Sequence, residues 1–295
     1  MKKPFRFGVV TGGHPSRSAW VGLAQRVEEL GYSSLLIPDV LGTPLATLTA
    51  LAVAATATTK LRVGSFVFVN DYRNPALLAR EIATLDLLSD GRVELGLGAG
   101  NWPHDFEQLG LPFDTAGVRV SRFAEGLSII KQFFAGEAVN FSGKYYTNII
   151  QRPTPRPVQQ PHPPILIGSG GRRMLTLAAR EADIIMPVSA QGGEYPASTD
   201  APISEKIGWI REAAGERFEH LELSASAFGV DLTDSPAAPL PPSPGGIPVV
   251  SRPMSTEQAV EYLLEQRETL GFSYIYIQER QLENFLPALA RLNGK

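Results

Sequence analysis

Short apolar runs alternate with amphipathic segments along most of the chain. Residues 61–69 form an apolar run rich in β-branched residues, which predicts a strand buried on both faces. Asn74 and Pro75 then supply a helix cap and a first helical residue, and apolar residues recur at helical spacing up to residue 88. A second strand is predicted over residues 92–98. A strand–helix–strand unit of this length needs parallel strands and a right-handed crossover.

The same alternation continues until eight strands are predicted. They cover residues 5–10, 34–37, 61–69, 92–98, 164–168, 184–186, 221–230 and 273–277. Eight strands alternating with helices predict an α/β fold of the (β/α)8 barrel type, and residues 1–295 form one domain because such barrels reach this length undivided. Long inserts are expected on the C-terminal face of the barrel, at 136–163, 187–202 and 234–253, the first with a hairpin. A doubly wound open sheet is the alternative.

The composition narrows the classes of function. The chain has 295 residues with 27 basic and 30 acidic side chains, a net charge of −3, and no basic footprint for nucleic acid. Without cysteine there are no disulfides or cysteine zinc sites, and His162 and His220 have no partner at metal-ligand spacing. No apolar run approaches the ~20 residues of a membrane span, and the N-terminal run is broken too early for a signal peptide. We therefore expect a soluble, cytoplasmic protein that binds neither nucleic acid nor a membrane.

One motif predicts an anion site without reference to any family. In residues 165–173, ILIGSGGRR, a buried strand ends in three glycines and a serine, and a helix then begins. Free N–H groups at a helix start bind anions. Arg172 and Arg173 lie in the first turn, where a positive charge is disfavoured by ~0.3–1 kcal/mol unless an anion offsets it. The alternative is a flexible turn with two solvated arginines, and the spacing alone does not name the ligand.

Three further positions are candidates for chemistry. Small residues at 98–101, after the fourth strand, let a flat group approach the backbone closely. His104 follows this loop and His14 follows the glycine pair after the first strand, and a histidine can give or take a proton near neutral pH. The competing interpretations are a surface or capping histidine for His104 and a turn residue for His14. Asp39, after the second strand, is either a cap or a ligand contact.

Three stretches together resemble the luciferase-like monooxygenase superfamily of flavin- and deazaflavin-dependent barrels. They are NPALLAREIATLDLLSDGRVELGLGAGNW, RFAEGLSIIKQFFAGEAVNFSGKYY and PRPVQQPHPPILIGSGGRRMLTLAAREAD. The resemblance covers nearly the whole chain. Within the superfamily the chain is most similar to the branch that uses coenzyme F420, although FMN users share much of the pattern.

The resemblance implies where a cofactor lies. Its phosphate is expected near Arg172, on the backbone of Gly168, Ser169, Gly170 and Gly171. Its ring is expected over the barrel mouth, between the third strand and the loop formed by Gly98, Ala99, Gly100 and Asn101. Members often carry a non-proline cis peptide bond behind the ring, and the matching position is Phe66-Val67. Asp39 matches a residue that contacts the deazaflavin, and relatives are commonly homodimers.

Two departures from the family pattern leave the reaction open. Val40 replaces a histidine that acts in catalysis in F420-dependent sugar-phosphate and alcohol dehydrogenases, and Asn101 replaces a glutamate of the sugar-phosphate enzyme. We expect an F420-dependent oxidoreductase that transfers a hydride to or from a small organic substrate, with His104 or His14 as proton partner. The alternatives are an FMN-dependent monooxygenase and a non-catalytic flavin- or F420-binding protein. An aldolase or isomerase barrel is a weaker rival, because no lysine is evident at a strand end.

Overall fold

The fold is built on a ring of parallel strands. The computed structural model describes residues 3–189, 200–238, 240 and 251–295. The strands in chain order are β1 (Arg6–Val10), β2 (Ser34–Ile37), β3 (Arg62–Ser65), β4 (Phe68–Val69), β5 (Val93–Gly98), β6 (Val139–Ser142), β7 (Thr147–Ile150), β8 (Ile165–Ser169), β9 (Ile184–Pro187), β10 (Glu222–Ser226), β11 (Val230–Leu232), β12 (Arg252–Met254) and β13 (Phe272–Gln278).

The ring closes through neighbouring parallel pairs. Its order is β3-β2-β1-β13-β10-β9-β8-β5, and β5 pairs again with β3, while β4 continues the line of β3 along β5. Eight parallel strands therefore form a closed barrel, and the predicted (β/α)8 fold is confirmed. The open-sheet alternative is wrong because both edges of the sheet are joined.

Helices surround the ring. They are α1 (Arg17–Glu29), α2 (Thr47–Ala57), α3 (Pro75–Leu88), α4 (Pro103–Gln108), α5 (Ala116–Ala135), α6 (Arg172–Glu181), α7 (Ile203–Ala214), α8 (Thr256–Leu270) and α9 (Leu286–Leu292). The local signals explain several bounds. The Asn74 side chain accepts from two N–H groups of the first turn of α3, Ser255 and Gln258 form a capping box on α8, and Gly136 ends α5 in the left-handed conformation.

Two apolar clusters fill the protein. The larger one lies between the strands and the helices and includes Ile275 and Ile277 of β13. The smaller one contains Tyr274 and Tyr276 of the same strand, packed with Leu36, Leu166 and Ile184. Alternate residues of a barrel strand face opposite sides, so the tyrosines fill the interior of the barrel. The predicted alternation along this strand is confirmed.

A charged network closes the N-terminal end of the barrel. The Arg6 guanidinium donates to Glu222 at 2.6 Å and to Glu94 at 2.5 Å, and it lies 3.4 Å above the Tyr274 ring. Glu94 is 3% exposed and also accepts from Arg62 at 2.8 Å and from the Tyr274 hydroxyl at 2.9 Å. Burial alone would raise the pKa of the Glu94 carboxyl, but the charges of Arg6 and Arg62 outweigh it and hold that pKa below its ordinary value.

Several predicted elements differ from the structure. The run 61–69 is two short strands, because a cis peptide bond at Phe66-Val67 separates β3 from β4. The predicted strand 221–230 is shorter in the structure, where β10 ends at Ser226. Val230 and Leu232 are buried as well, but they belong to β11, which pairs with β12 outside the barrel. Thr43 and Pro44 favour a cap for the next helix, but α2 begins at Thr47 and its N-cap is Ala46.

The position of one insert also differs from the prediction. The insert 136–163 begins after α5 and ends before β8, so both of its ends lie at the N-terminal end of the barrel. Its hairpin reaches towards the mouth, where the Tyr146 hydroxyl accepts at 3.0 Å from Asn70, the residue after β4. Gln159 of this insert donates to the Val93 carbonyl, at the first residue of β5, and to Asp86 of α3. The predicted hairpin is present as β6 and β7, extended to Ile150. Most of the inserts 187–202 and 234–253 lies outside the described residues.

Candidate functional site

The carboxyl ends of the strands define the mouth of the barrel. Val10, Phe66, Val67, Met186 and Phe228 are only partly buried and pack on the tyrosine cluster from above. The Phe66 ring centroid lies 4.8 Å from that of Tyr276 and 6.4 Å from that of Phe228. These five side chains are called the apolar floor. They form a partly exposed apolar surface at the face where (β/α)8 barrels carry their active sites.

The cis peptide bond at Phe66-Val67 belongs to this floor, at the position that the resemblance predicts. Val67 leans on β5: a Cβ added to Gly98 would lie 2.7 Å from Val67 Cγ2, and one added to Gly96 would lie 2.0 Å from the Ser65 carbonyl oxygen. Real Cβ atoms do not approach other atoms so closely. The glycines of β5 therefore allow the interrupted strand to lie against it.

The loop after β5 has a different packing from the one expected. Gly100 has φ +80°, and a Cβ there would lie 2.7 Å from the Phe106 ring. Ala99 and Gly100 are partly buried, and Asn101 is exposed. At Gly98 and Gly100 the close approach is thus made by the protein's own Val67 and Phe106. A flat ligand would meet the remaining side of this loop.

The end of β8 presents open main chain beside the apolar floor. Gly168 pairs in register with Met186 of that floor. Gly171 is the N-cap of α6, and among the described residues no side chain caps this helix and no atom lies within 4 Å of a Cβ built on Gly171. Ser169 accepts the Gly171 N–H through its hydroxyl at 3.3 Å. The first N–H groups of a helix have no partner within the helix, so this end of α6 can receive an anion.

Arg172 and Arg173 have partners on the neighbouring helices. Arg172 is 63% exposed, lies 3.4 Å from Glu212 and stacks 5.6 Å above the Trp209 ring. Arg173 donates to the Gly117 carbonyl and to the Ser121 hydroxyl, both at 2.8 Å and both on α5. These contacts account for both arginines in the first turn of α6 without an anion.

A buried lysine lies behind the glycines and was missed by the sequence analysis. Lys206 of α7 has a fully buried side chain that donates to the Val188 carbonyl at 2.7 Å and to Asp200 at 2.6 Å. A Cβ on Gly170 would lie 3.2 Å from its Nζ atom. The signal was available, because Lys206 lies on the stripe of Ile203, Ile207 and Ile210 that faces the core.

Asp39 holds the loop after β2 against β4. Its carboxylate accepts from the Val69 N–H at 3.2 Å and from Arg73 at 3.0 Å, and the Arg73 guanidinium lies 4.9 Å above the Phe68 ring. Asp105 makes a similar tie, since its carboxylate accepts from the Leu41 N–H. The contacts of Asp39 are thus structural, and a cofactor contact at this residue stays a prediction.

The two candidate histidines lie in different surroundings. His104 is 74% exposed on the short helix α4 and contacts Gln108 at 2.6 Å and Glu107 at 3.9 Å, both on the same helix. His14 lies 36% exposed in the loop after β1, with its Nε2 atom 2.6 Å from Glu279 Oε1. His14 is therefore fixed by another part of the chain, whereas the contacts of His104 with described residues are all within its own helix.

Glu279 is the second residue that the sequence analysis missed. It follows β13 directly, and Val10 pairs in register with Gln278, so Thr11 and Glu279 extend from neighbouring strands. The Thr11 hydroxyl donates to the other oxygen of Glu279 and accepts the Gly13 N–H. The predicted barrel could have indicated this contact, because closure places the residues after the eighth barrel strand beside those after the first.

No described helix is long and apolar enough to cross a membrane. No group of three or more histidine, cysteine or acidic side chains among the described residues could hold a metal ion.

Comparison with known proteins assigns the family. The sequence model of the luciferase-like monooxygenases matches residues 4–228. The chain belongs to the luciferase-like monooxygenase family. An uncharacterized protein of Mycobacterium tuberculosis (strain ATCC 25618 / H37Rv) is 32% identical over 237 residues, which cover 72% of this chain and 78% of that protein.

A sequence relative and a protein of similar structure carry functional names. The F420-dependent glucose-6-phosphate dehydrogenase of Amycolatopsis mediterranei is 31% identical over 182 residues, and the match covers 59% of this chain and 54% of that enzyme. The structure of the coenzyme F420 dependent tetrahydromethanopterin reductase from Methanopyrus kandleri matches with a TM-score of 0.79 and 18% identity over 98% of both chains. At that identity the second match bears on the fold alone.

Proposed function

We propose that this luciferase-like protein is an F420-dependent oxidoreductase that moves a hydride between the deazaflavin and a small organic substrate. The observation that carries the proposal is the adjacency of two features at the mouth, the apolar floor and the uncapped N-terminus of α6. A planar, phosphate-bearing coenzyme needs both. The printed name of the Amycolatopsis relative supports F420 as that coenzyme.

The residues present fit such a coenzyme. Main-chain amides in the first turn of α6 would hold its phosphate, and among the described residues no atom lies within 4 Å of a Cβ built on Gly171. Phe66 and Val67 would support the ring, with Ala99 and Gly100 at its edge. When bound, a deazaflavin accepts or donates a hydride at a ring carbon, and the protein supplies position and protection from water.

Titration with F420 and FMN side by side tests this assignment. We expect F420 to bind with a Kd in the micromolar range or tighter, about −8 kcal/mol, and FMN to bind much more weakly. Quenching of coenzyme fluorescence gives both constants. The reverse order of affinity would contradict the proposal and assign the chain to the FMN users of the family.

Substitutions at Gly171 test the anion site with little risk to the fold. Asp and Asn are both favourable N-cap residues, and a side chain here meets no described atom. We expect Gly171→Asp to weaken coenzyme binding by tenfold or more, about 1.4 kcal/mol, because it adds a negative charge beside the phosphate. Gly171→Asn has the same size without the charge and should weaken binding less. Equal and unchanged affinities would remove the anion from this end of α6.

The second candidate function is an FMN-dependent monooxygenase, which the family name favours. Reduced flavins consume oxygen, whereas a reduced deazaflavin barely reacts with it, so an oxygen electrode separates the two reactions. Rapid oxygen uptake by the protein with reduced FMN would favour the monooxygenase. A third outcome, coenzyme binding without turnover of any donor or acceptor, would indicate the non-catalytic binding protein that Val40 and Asn101 leave open.

A further inference from the structure

The loops after the first and last barrel strands hold a histidine and a carboxylate in contact at the mouth. His14 Nε2 lies 2.6 Å from Glu279 Oε1, and the Thr11 hydroxyl donates to the second oxygen of Glu279. Thr11 is 3% exposed, while His14 and Glu279 are each about one third exposed. The buried member of this trio fixes the carboxylate, and the two partly exposed members face the side of the barrel where substrate would enter.

The hydrogen bonds fix the direction of each donor. A carboxylate only accepts, so the His14 Nε2 atom carries a hydrogen and the Nδ1 atom of the neutral ring has a free lone pair. Thr11 also receives the Gly13 N–H at 3.0 Å, which leaves its own hydrogen for Glu279. Gly13 has φ +86°, a conformation that glycine adopts without strain. The loop therefore presents a histidine with a defined tautomer.

The neighbouring cation does not compete for Glu279. Arg280, the next residue, donates to the Phe228 carbonyl at 2.9 Å and lies 3.4 Å from Asp231. Glu279 is thereby left to orient His14. A carboxylate that holds a histidine by one nitrogen and leaves the other free is the arrangement that proton-transferring histidines use.

We propose that His14 is the proton donor and acceptor of the reaction, that Glu279 is its positioning residue, and that the substrate carries oxygen on the reacting carbon. This inference rests on the proposed function. When a hydroxyl group is oxidised to a carbonyl, the C–H bond breaks with loss of a hydride and the O–H bond breaks with loss of a proton. His14 Nδ1 would take the proton, and the hydride would go to the bound deazaflavin; reduction of a carbonyl would reverse both transfers.

The first test needs neither substrate nor coenzyme. Nitrogen-15 NMR of the labelled protein reports which ring nitrogen of His14 carries the hydrogen, and we expect the Nε2–H tautomer. In Glu279→Gln the amide can donate as well as accept, so the preference for this tautomer should be lost. A mixture of tautomers in the unmodified protein, or a Glu279→Gln spectrum identical to it, would overturn the positioning role.

The second test separates proton transfer from binding. Oxidised F420 is mixed with a panel of primary and secondary alcohols, reduced F420 with the matching aldehydes and ketones, and the change in coenzyme absorbance is followed. His14→Gln keeps an N–H for Glu279 but has no basic nitrogen, so kcat should fall by about 10²–10⁴-fold with KM and the Kd for F420 unchanged. Glu279→Gln should lower kcat by a smaller factor, again with KM unchanged. His220→Gln, an exposed histidine just before β10 at the opposite end of the barrel, is the matched control.

Each result decides one statement. If F420 binds but its absorbance changes with no member of the panel, the oxygen-bearing substrate is overturned. If KM in His14→Gln rises by as large a factor as kcat falls, proton transfer by His14 is overturned. Failure of the unmodified protein to bind F420 rejects the proposed function instead, and the NMR result on His14 then stands by itself.

Discussion

The two ends of the barrel differ in how far their polar groups are paired within the protein. At the N-terminal end, hydrogen bonds join Arg6, Arg62, Glu94 and Glu222 in one network, and the Tyr274 hydroxyl donates to it from inside the barrel. At the mouth, the apolar floor stays partly exposed, the N-terminus of α6 has no side-chain cap among the described residues, and His14 keeps one ring nitrogen free. One end uses its polar groups for the fold, and the other keeps them available.

This contrast separates stability from chemistry within one ring of strands. The contacts assign stability to the N-terminal end and chemistry to the mouth, which is where barrels of this type carry their active sites. Substitutions at the charged end should change unfolding without changing the chemistry of molecules that remain folded. Substitutions at the mouth should do the reverse, except where the floor itself depends on backbone packing.

The largest effect is expected from Glu94→Gln. The substitution leaves Arg6 and Arg62, each about three quarters buried, without their shared carboxylate. We expect the free energy of unfolding to fall by about 2–4 kcal/mol, while F420 affinity per folded molecule is retained. Urea unfolding followed by circular dichroism measures the first quantity, and fluorescence quenching measures the second.

The control for this change is Glu257→Gln, which breaks an exposed pair with Arg291 on the surface. It should alter unfolding very little, because exposed ion pairs are screened by water. If Glu94→Gln were as mild as this control, the charged end would not be the stabilising end.

The next effect is expected from Gly96→Ala. A Cβ at this position would lie 2.0 Å from the Ser65 carbonyl oxygen and 3.0 Å from Val67, so β3 and the floor must move. We expect unfolding to become easier by about 1–3 kcal/mol, and coenzyme affinity to fall with it. At Gly96, a substitution near the mouth should therefore lower the free energy of unfolding as well as the coenzyme affinity.

Gly208→Ala is the matched substitution for Gly96→Ala. No described atom lies within 4 Å of a Cβ at this exposed position of α7. The change should stabilise the protein by about 0.5–1 kcal/mol and leave coenzyme affinity unaltered. Similar losses from both glycines would mean that the close contact at Gly96 is unimportant.

Acid should weaken the charged end through the same carboxylate. The pKa of Glu94 is lower in the folded protein than its ordinary value of 4.5. A group of this kind contributes stability that is complete above its unfolded pKa and is lost as pH falls towards the folded pKa. The difference in unfolding free energy between the unmodified protein and Glu94→Gln should therefore shrink between about pH 5 and pH 2. A difference that stays constant over this range would contradict the prediction.

The smallest effect is expected from Arg172→Ala. Its guanidinium is 63% exposed and directed at Glu212 and Trp209 of α7. We expect unfolding to change by no more than ~0.5 kcal/mol and F420 affinity to stay as it is. A marked loss of affinity would show that Arg172 binds the anion directly, as the sequence motif indicated.

Much of the fold could be predicted because its signals are local. The helix Pro75–Leu88 has its predicted bounds, and the Asn74 side chain caps it as the sequence indicated. The count of eight strands also followed from local pattern. Where prediction was wrong, the local pattern was right and the pairing was not: Val230 is apolar as in a barrel strand but pairs with a neighbouring short strand.

The site was harder to predict because its contacts join distant parts of the chain. His14 could be named from its place after the first strand, but its partner Glu279 is 265 residues away and depends on closure of the ring. Lys206 lies on α7, whereas its neighbour Gly170 lies between β8 and α6, so this contact also joins separate parts of the chain. Arg172 lies in the first turn of α6 as the motif indicated, but its partners Glu212 and Trp209 belong to α7, which the motif does not contain.

The contact between His14 and Glu279 spans the seam where the first and last barrel strands meet. Any species in which the final strand has detached loses the orientation of the imidazole, together with the two tyrosines on which the apolar floor packs. Turnover during refolding should thus return only when the last strand docks. Recovery of proton transfer would therefore indicate that the barrel has closed.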